Sequence, residues 1–247
     1  VNNPSDKNSL LSNFVRSCCE DNQGNLWLGT FNGLSKYDKQ TGNFTHYKHD
    51  NKPDGLTHAS VWCIIKDHQG TLWLGTYFGG VNYFNPEYEI YTWYKPSFDE
   101  KHGLSSPIVG RMLEDKHKNL WICTEGGGVN VYNRTTKTFK WYTPNSSANS
   151  ISQNNVKAIF YDKGEDLMWF GTHLGGLNKL DLKTDRFTHY RHDRSDNTSI
   201  LSDIVRDIEP YKNNLLLATS DGICIFNTDT GKSKPLFADN QRSTLVK

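Results

Sequence analysis

The sequence predicts an all-β protein: a β-propeller of five four-stranded antiparallel blades spread over residues 1–247. Three observations predict it. First, one pentapeptide recurs: Leu26-Trp27-Leu28-Gly29-Thr30, Leu72 to Thr76, Leu120-Trp121-Ile122-Cys123-Thr124, Met168 to Thr172, and a worn copy, Leu215 to Thr219. From Trp27 to Leu216 the steps are 46, 48, 48 and 47 residues, and a fixed period of this size marks a repeat architecture. Second, each copy holds four short strand-like runs. Third, glycine turns punctuate the runs at matching offsets, which suits short strands joined by tight bends.

The runs are assigned in chain order. Strand A begins at Val15, Val61, Val109, Val156 and Val205, is apolar on both faces, and usually ends near an acid: Asp21, Asp67, Asp115 or Asp162. Strand B is the Trp string, strand C follows the glycine turn, and strand D carries an aromatic pair. These pairs are Phe44/Tyr47, Tyr91/Tyr94, Phe139/Tyr142 and Phe187/Tyr190, with Ser233/Leu236 in the fifth copy, which is therefore expected to pack least well. A sheet apolar on both faces must be covered on both, and radial stacking of small sheets does this. The strand B tryptophans are then blade-to-blade packing. The repeats run over approximately 10–55, 56–103, 104–150, 151–199 and 200–247. Strands that alternate in direction put the B–C turns and the long D–A linkers (48–60, 95–108, 143–155 and 191–204) on one face, and the A–B and C–D turns on the other.

Composition excludes several classes. Lys plus Arg number 28 against 27 Asp plus Glu, so no basic excess points to nucleic acid. No apolar run approaches the roughly 20 residues of a membrane span, so no membrane contact is expected of this segment. The five cysteines have no paired spacing, which argues against a disulfide framework or a zinc site. The beginning, Val-Asn-Asn-Pro, reads as a mature or excised segment, and the end, Ser243-Thr244-Leu245, echoes the linker Ser9-Leu10-Leu11.

The pattern V-x-x-[ILMC]-x-x-[DE]…LWxGT…GG[LV]NxY[DN]…F-x-x-Y, over residues 15–47, 61–94, 109–142 and 156–190, resembles the two-component-regulator propeller repeat. That resemblance implies part of a seven-bladed propeller array in the periplasmic sensor region of a hybrid two-component system. It also implies that other propeller and sandwich domains and a histidine kinase lie outside these residues, and that the ligand is a glycan-derived oligosaccharide. A homodimer is a further expected partner, and no cofactor is expected.

No pattern supplies catalysis. His46-Tyr47-Lys48-His49-Asp50 and its echo at His189–Asp193 place the two histidines on opposite strand faces, so no metal site is expected. Gly231-Lys232-Ser233 lacks the leading glycine and following helix of a phosphate loop. The turn Asp21-Asn22-Gln23-Gly24-Asn25-Leu26-Trp27 is similar to the Asp-box of sialidase-type propellers, one residue longer, but no acid and nucleophile pair accompanies it. A propeller lyase is the other enzymatic alternative, and an interaction scaffold the non-enzymatic one. Binding residues are sought where copies differ at fixed positions. After the repeated Thr stand Phe31, Tyr77, Glu125, His173 and Ser220; after the first Val of strand A stand Arg16, Trp62, Gly110, Lys157 and Arg206. The candidate site is therefore Arg16, Phe31, Trp62, Tyr77, Glu125, Lys157, His173 and Arg206, in which rings can stack on sugar faces and charged groups can bond hydroxyls.

Overall fold

The computed structural model describes residues 1–50, 55–86 and 90–237; the side chains of Ile90 and Tyr91, and the linker echo at Ser243–Leu245, lie outside the described residues. Twenty strands form five antiparallel sheets, each in simple sequential order. The first holds β1 (Val15–Glu20), β2 (Leu26–Thr30), β3 (Gly33–Tyr37) and β4 (Phe44–Tyr47). The second holds β5 (Val61–Lys66), β6 (Leu72–Thr76), β7 (Val81–Asn85) and β8 (Ile90–Tyr94). The third holds β9 (Val109–Glu114), β10 (Leu120–Thr124), β11 (Val129–Asn133) and β12 (Thr138–Tyr142). The fourth holds β13 (Val156–Asp162), β14 (Leu167–Thr172), β15 (Leu177–Asp181) and β16 (Arg186–Tyr190). The fifth holds β17 (Val205–Tyr211), β18 (Asn214–Thr219), β19 (Gly222–Asn227) and β20 (Ser233–Pro235). Every strand A begins at the valine that the repeat phase assigns to it.

The blades fall into two compact units, Val1–Trp141 and Tyr142–Lys247. In the first, strand B is fused to the next blade by aromatic packing. Trp27 is fully buried, stacks on Tyr47 at 5.5 Å, and meets Phe84 of the second blade edge-on at 5.2 Å. Trp73 repeats this with Tyr94 and, from the third blade, Tyr132. In the second unit Trp169 stacks on Tyr190 and meets Phe226 of the fifth blade. These rings pack edge-to-face and offset, as their quadrupoles favour. The glycine of the Trp string has a matching cause. A Cβ on Gly75 would come 2.6 Å from Val109 Cγ1 and 2.5 Å from Cys63 Sγ, and one on Gly171 would come 2.8 Å from Val205 Cγ1. The innermost strand of the following blade lies against that glycine.

Three local devices hold the turns. At the A–B turn the strand-end aspartate accepts the Trp indole N–H two residues into strand B: Asp21 from Trp27, Asp67 from Trp73 and Asp115 from Trp121, each at 2.8 Å. At the B–C turn the repeated threonine donates its hydroxyl to the glycine carbonyl beyond the turn, as Thr76 to Gly80 at 2.9 Å. Gly80, Gly128 and Gly176 there take φ of 75°, 70° and 72°, a region open to glycine without steric cost. The fully buried Asn82, Asn130 and Asn178 of strand C latch the D–A linker by accepting the amides of Thr57, Ser105 and Ser152. In the first blade Ser35 takes this place and pairs with His46.

Three expectations are modified. Strand A is not covered throughout in the first blade: Val15, Arg16 and Cys18 of β1 are exposed. The fourth A–B turn is one residue longer between Asp162 and Trp169. There Asp162 caps the amides of Gly164 and Glu165, and Asp166 accepts the Tyr161 hydroxyl. The fifth blade packs well on its inner side, since Ile208, Leu215, Leu217, Cys224 and Phe226 join Trp169 in one buried cluster. Only its outer strand is reduced, to the three residues of β20.

Candidate functional site: an arginine and its aromatic neighbours on the linker face

In the second to fifth blades the B–C turn is tied to the linker segment just before strand A of the same blade. Tyr77 N donates to Ser60 O at 3.1 Å, Glu125 N to Ile108 O at 3.0 Å, His173 N to Asn155 O at 2.9 Å and Ser220 N to Ile204 O at 3.0 Å. The turn position and the start of strand A, some 15 residues apart in sequence, therefore sit side by side. The variable residue of strand A has its own device. In every blade the A–B register slips next to the first Val: Val15 faces Thr30 while Ser17 faces Gly29, and likewise Val61/Cys63, Val156/Ala158 and Val205/Asp207. In the third blade the slip lies between Ile122 and Thr124 of β10, opposite Val109 and Met112. Arg16, Trp62, Lys157 and Arg206 each occupy the unpaired position of a β-bulge, which bends the strand and re-aims that side chain.

In the first unit these devices bring four of the candidates together. The Arg16 guanidinium carbon lies 4.7 Å from the Phe31 ring centroid and 5.0 Å from that of Trp62. Trp62 stacks on Tyr77 at 4.8 Å with ring planes 17° apart. Its indole N–H is fixed by Ser60 Oγ at 3.0 Å, and Ser60 N in turn donates to His58 Nδ1. Two aromatic residues extend the row beyond the sequence candidates: Phe14 meets Phe31 edge-on at 5.5 Å, and Phe78 meets Tyr77 at 4.5 Å. Both are exposed, Phe14 at 68% and Phe78 at 55%, whereas Phe31, Trp62 and Tyr77 are half-buried. Phe14 stands where the other copies carry Ser60, Ile108, Asn155 and Ile204. Its aromatic ring, absent from the other copies, was the available sequence signal for it.

The remaining candidates belong to the later blades. Glu125 holds the equivalent turn of the third blade, with its carbonyl bonded by the Ser106 hydroxyl. Lys157, His173 and Arg206 belong to the second unit, where His173 bridges Ile204 and Arg206 is exposed. The recurrent histidines serve the linkers: His49 Nδ1 pairs with Leu56 O and His192 Nδ1 with Ile200 O. Among the described residues no group of three or more His, Cys, Asp or Glu could hold a metal ion. Cys63 is buried and its thiol is pushed up to about 12 by that burial, and burial likewise raises Cys123 and Cys224.

Chemically the row offers a stacked ring pair, Tyr77 on Trp62, two exposed rings at its ends, and one guanidinium over the Trp62 and Phe31 rings. It can hold and orient a ligand with an apolar face and polar substituents.

Residues 9–32 and 55–78 match the family model described as "two component regulator propeller". Those segments run from the linker through strands A and B to the B–C turn of the first and second blades, and they contain Arg16, Phe31, Trp62, Tyr77 and Phe78. No curated protein matches. Among solved structures the chain is similar to the extracellular domain of the putative hybrid two component system BT3049 from B. thetaiotaomicron. The two are 24% identical over 91% of this chain and 30% of that one, with a TM-score of 0.77. It is also similar to PorZ of Porphyromonas gingivalis, a surface component of the type-IX secretion system, at 18% identity over 94% and 34% of the two chains, with a TM-score of 0.68. A third neighbour is virginiamycin B lyase from Staphylococcus aureus, at 14% identity over 93% and 72%, with a TM-score of 0.66. At these identities the likeness is one of fold. The chain spans about a third of the first two proteins.

Proposed function

We propose that this chain, which carries two component regulator propeller repeats, is a non-catalytic ligand-binding part of the extracytoplasmic sensor region of a hybrid two-component system. In this reading it detects glycan-derived oligosaccharides in the periplasm. The signal passes to a kinase outside these residues, by way of neighbouring propeller and sandwich domains. The observation that carries the reading is the stacked Trp62–Tyr77 pair with Arg16 beside it, on the face where the linkers and B–C turns meet. The outward side of such a ring stack is an apolar wall that suits the C–H face of a pyranose, and a few placed donors beside an apolar wall are the usual recipe of a small-molecule site. The match to the repeat family and the hybrid two-component neighbour support the sensor context.

Calorimetry of the chain against a panel of plant and host oligosaccharides tests this. Binding by the native chain should weaken at least tenfold, about 1.4 kcal/mol, in Trp62→Ala and in Tyr77→Ala. Silence across the panel, or undiminished binding by both variants, counts against it.

A second reading is favoured by the exposure of Phe14 and Phe78. Contiguous exposed rings also suit a protein partner, a second copy of the chain included. A stable dimer in light scattering that Phe14→Ser with Phe78→Ser dissolves would favour it.

A further inference from the structure

We infer that the ligand held at Arg16 is an acidic saccharide, with a carboxylate seated on that guanidinium. The inference rests on the oligosaccharide reading above and narrows it. Arg16 is exposed, and its guanidinium lies over two rings, Phe31 and Trp62. Rings attract the cation through their π faces but accept none of its five in-plane N–H groups in the way an oxygen does. Among the described residues no carboxylate or carbonyl oxygen accepts from Arg16, although other cations of this chain have found one. Arg134 reaches Asp67 at 2.7 Å and Arg191 reaches Asp203 at 3.6 Å. The two rings beside it, Phe31 and Trp62, bring no negative charge to it.

A guanidinium held by rings at a fixed place, with its N–H fork unspent, is a receptor for a planar two-oxygen anion. The bulge explains why the side chain is there at all. Arg16 is the unpaired residue between Val15 and Ser17, so it is aimed by the backbone rather than by an ion pair. The Trp62–Tyr77 stack next to it supplies an apolar wall for the ring that carries the carboxylate. A neutral sugar would use that wall and leave the fork to hydroxyls. A uronate fills both.

The test is calorimetry of the whole chain at low salt with trimers of galacturonate, mannuronate and guluronate, each paired with its methyl ester, which keeps the shape and removes the charge. We expect an acid trimer to bind at least tenfold more tightly than its ester, with affinity falling as salt rises. Arg16→Gln should erase that preference, and Arg16→Lys should restore only part of it because the planar fork is lost. Thermal melts of each variant should match the native chain. Equal affinity for acid and ester, no binding of any acid trimer, or an acid preference untouched by Arg16→Gln each overturns the inference. If one of these outcomes is found while neutral oligosaccharides bind through Trp62 and Tyr77, the acidic-ligand inference alone falls and the sensor reading stands. If neither acidic nor neutral sugars bind, both fall.

Discussion

Replacing Arg134 by leucine should destabilise the first unit by about 3 kcal/mol, and Thr71→Asn should recover about half of that. The A–B turns of the first and third blades are built alike. Asp21 accepts from Trp27 Nε1 and, at 3.0 Å, from Asn25 Nδ2; Asp115 accepts from Trp121 Nε1 and from Asn119 Nδ2. In the second blade Thr71 replaces that asparagine and has no side-chain amide to give. The missing donor comes from the third blade: Arg134 Nη1 meets Asp67 Oδ2 at 2.7 Å, its guanidinium carbon 4.9 Å from the Trp73 ring centroid. The Asp67 carboxylate is fully buried and Arg134 is 15% exposed. Removing one partner of a buried ion pair costs roughly 3–5 kcal/mol. Asp67 keeps the amides of Gln69 and Thr71 and the Trp73 indole, which sets the cost at the lower end. The side-chain amide introduced by Thr71→Asn would return one hydrogen bond to a charged acceptor, worth about 1.5 kcal/mol. Urea unfolding of the native chain, both single variants and the double variant gives the coupling directly.

The pH dependence is fixed in sign. Burial works to raise Asp67, but the Trp73 and Arg134 hydrogen bonds, the Arg134 charge and the Thr71 amide outweigh it and hold the carboxyl below its ordinary 3.8. A depressed acid contributes stability that is present above its unfolded value and lost as pH falls through the folded one. The gap between native chain and Arg134→Leu should therefore be full above about pH 4 and close below it. A cost under about 1 kcal/mol against the range for buried pairs, or a Thr71→Asn effect equal in both backgrounds, refutes the reasoning.

Other outcomes follow from single contacts. Gly75→Ala sets a methyl 2.5 Å from Cys63 Sγ and 2.6 Å from Val109 Cγ1, and should cost about 1–3 kcal/mol by overpacking in the same unfolding assay. Lys118 takes φ 68° at the turn position where Gly24 and Gly70 take 85° and 86°; Lys118→Gly should raise stability by about 0.5–1 kcal/mol as the left-handed strain is relieved. A thiol reagent at pH 8 should modify exposed Cys18 first and half-buried Cys19 more slowly, leaving Cys63, Cys123 and Cys224 for the unfolded chain.

The repeat made the blades legible because each strand is dictated by its own residues: a Trp string between turns, an apolar run that opens on valine, a glycine bend. The tryptophans' packing role was equally plain, since only stacking could cover both faces of so small a sheet. What escaped were pairings between residues far apart in the chain. Arg134 and Asp67 are 67 residues apart, and only the exchange of asparagine for Thr71 hinted at a missing donor. Asn82, Asn130 and Asn178 looked like ordinary strand residues until the linker amides they accept were in view. Of the candidate site, the two variable positions were visible in the repeat. The bulge that aims one of them and the row formed by Phe14, Arg16, Phe31, Trp62, Tyr77 and Phe78 were not. A bulge is a register fact, and register belongs to two strands at once.

The account's central claim is that the linker face of the first two blades carries the ligand. Amide hydrogen exchange, with and without a saturating oligosaccharide from the calorimetric panel, tests it most directly. Protection should appear at residues 14–16, 57–62 and 76–79, where the bulges, linker and B–C turn converge. Protection at the opposite turns instead, residues 21–25, 67–71 and 115–119, would contradict it.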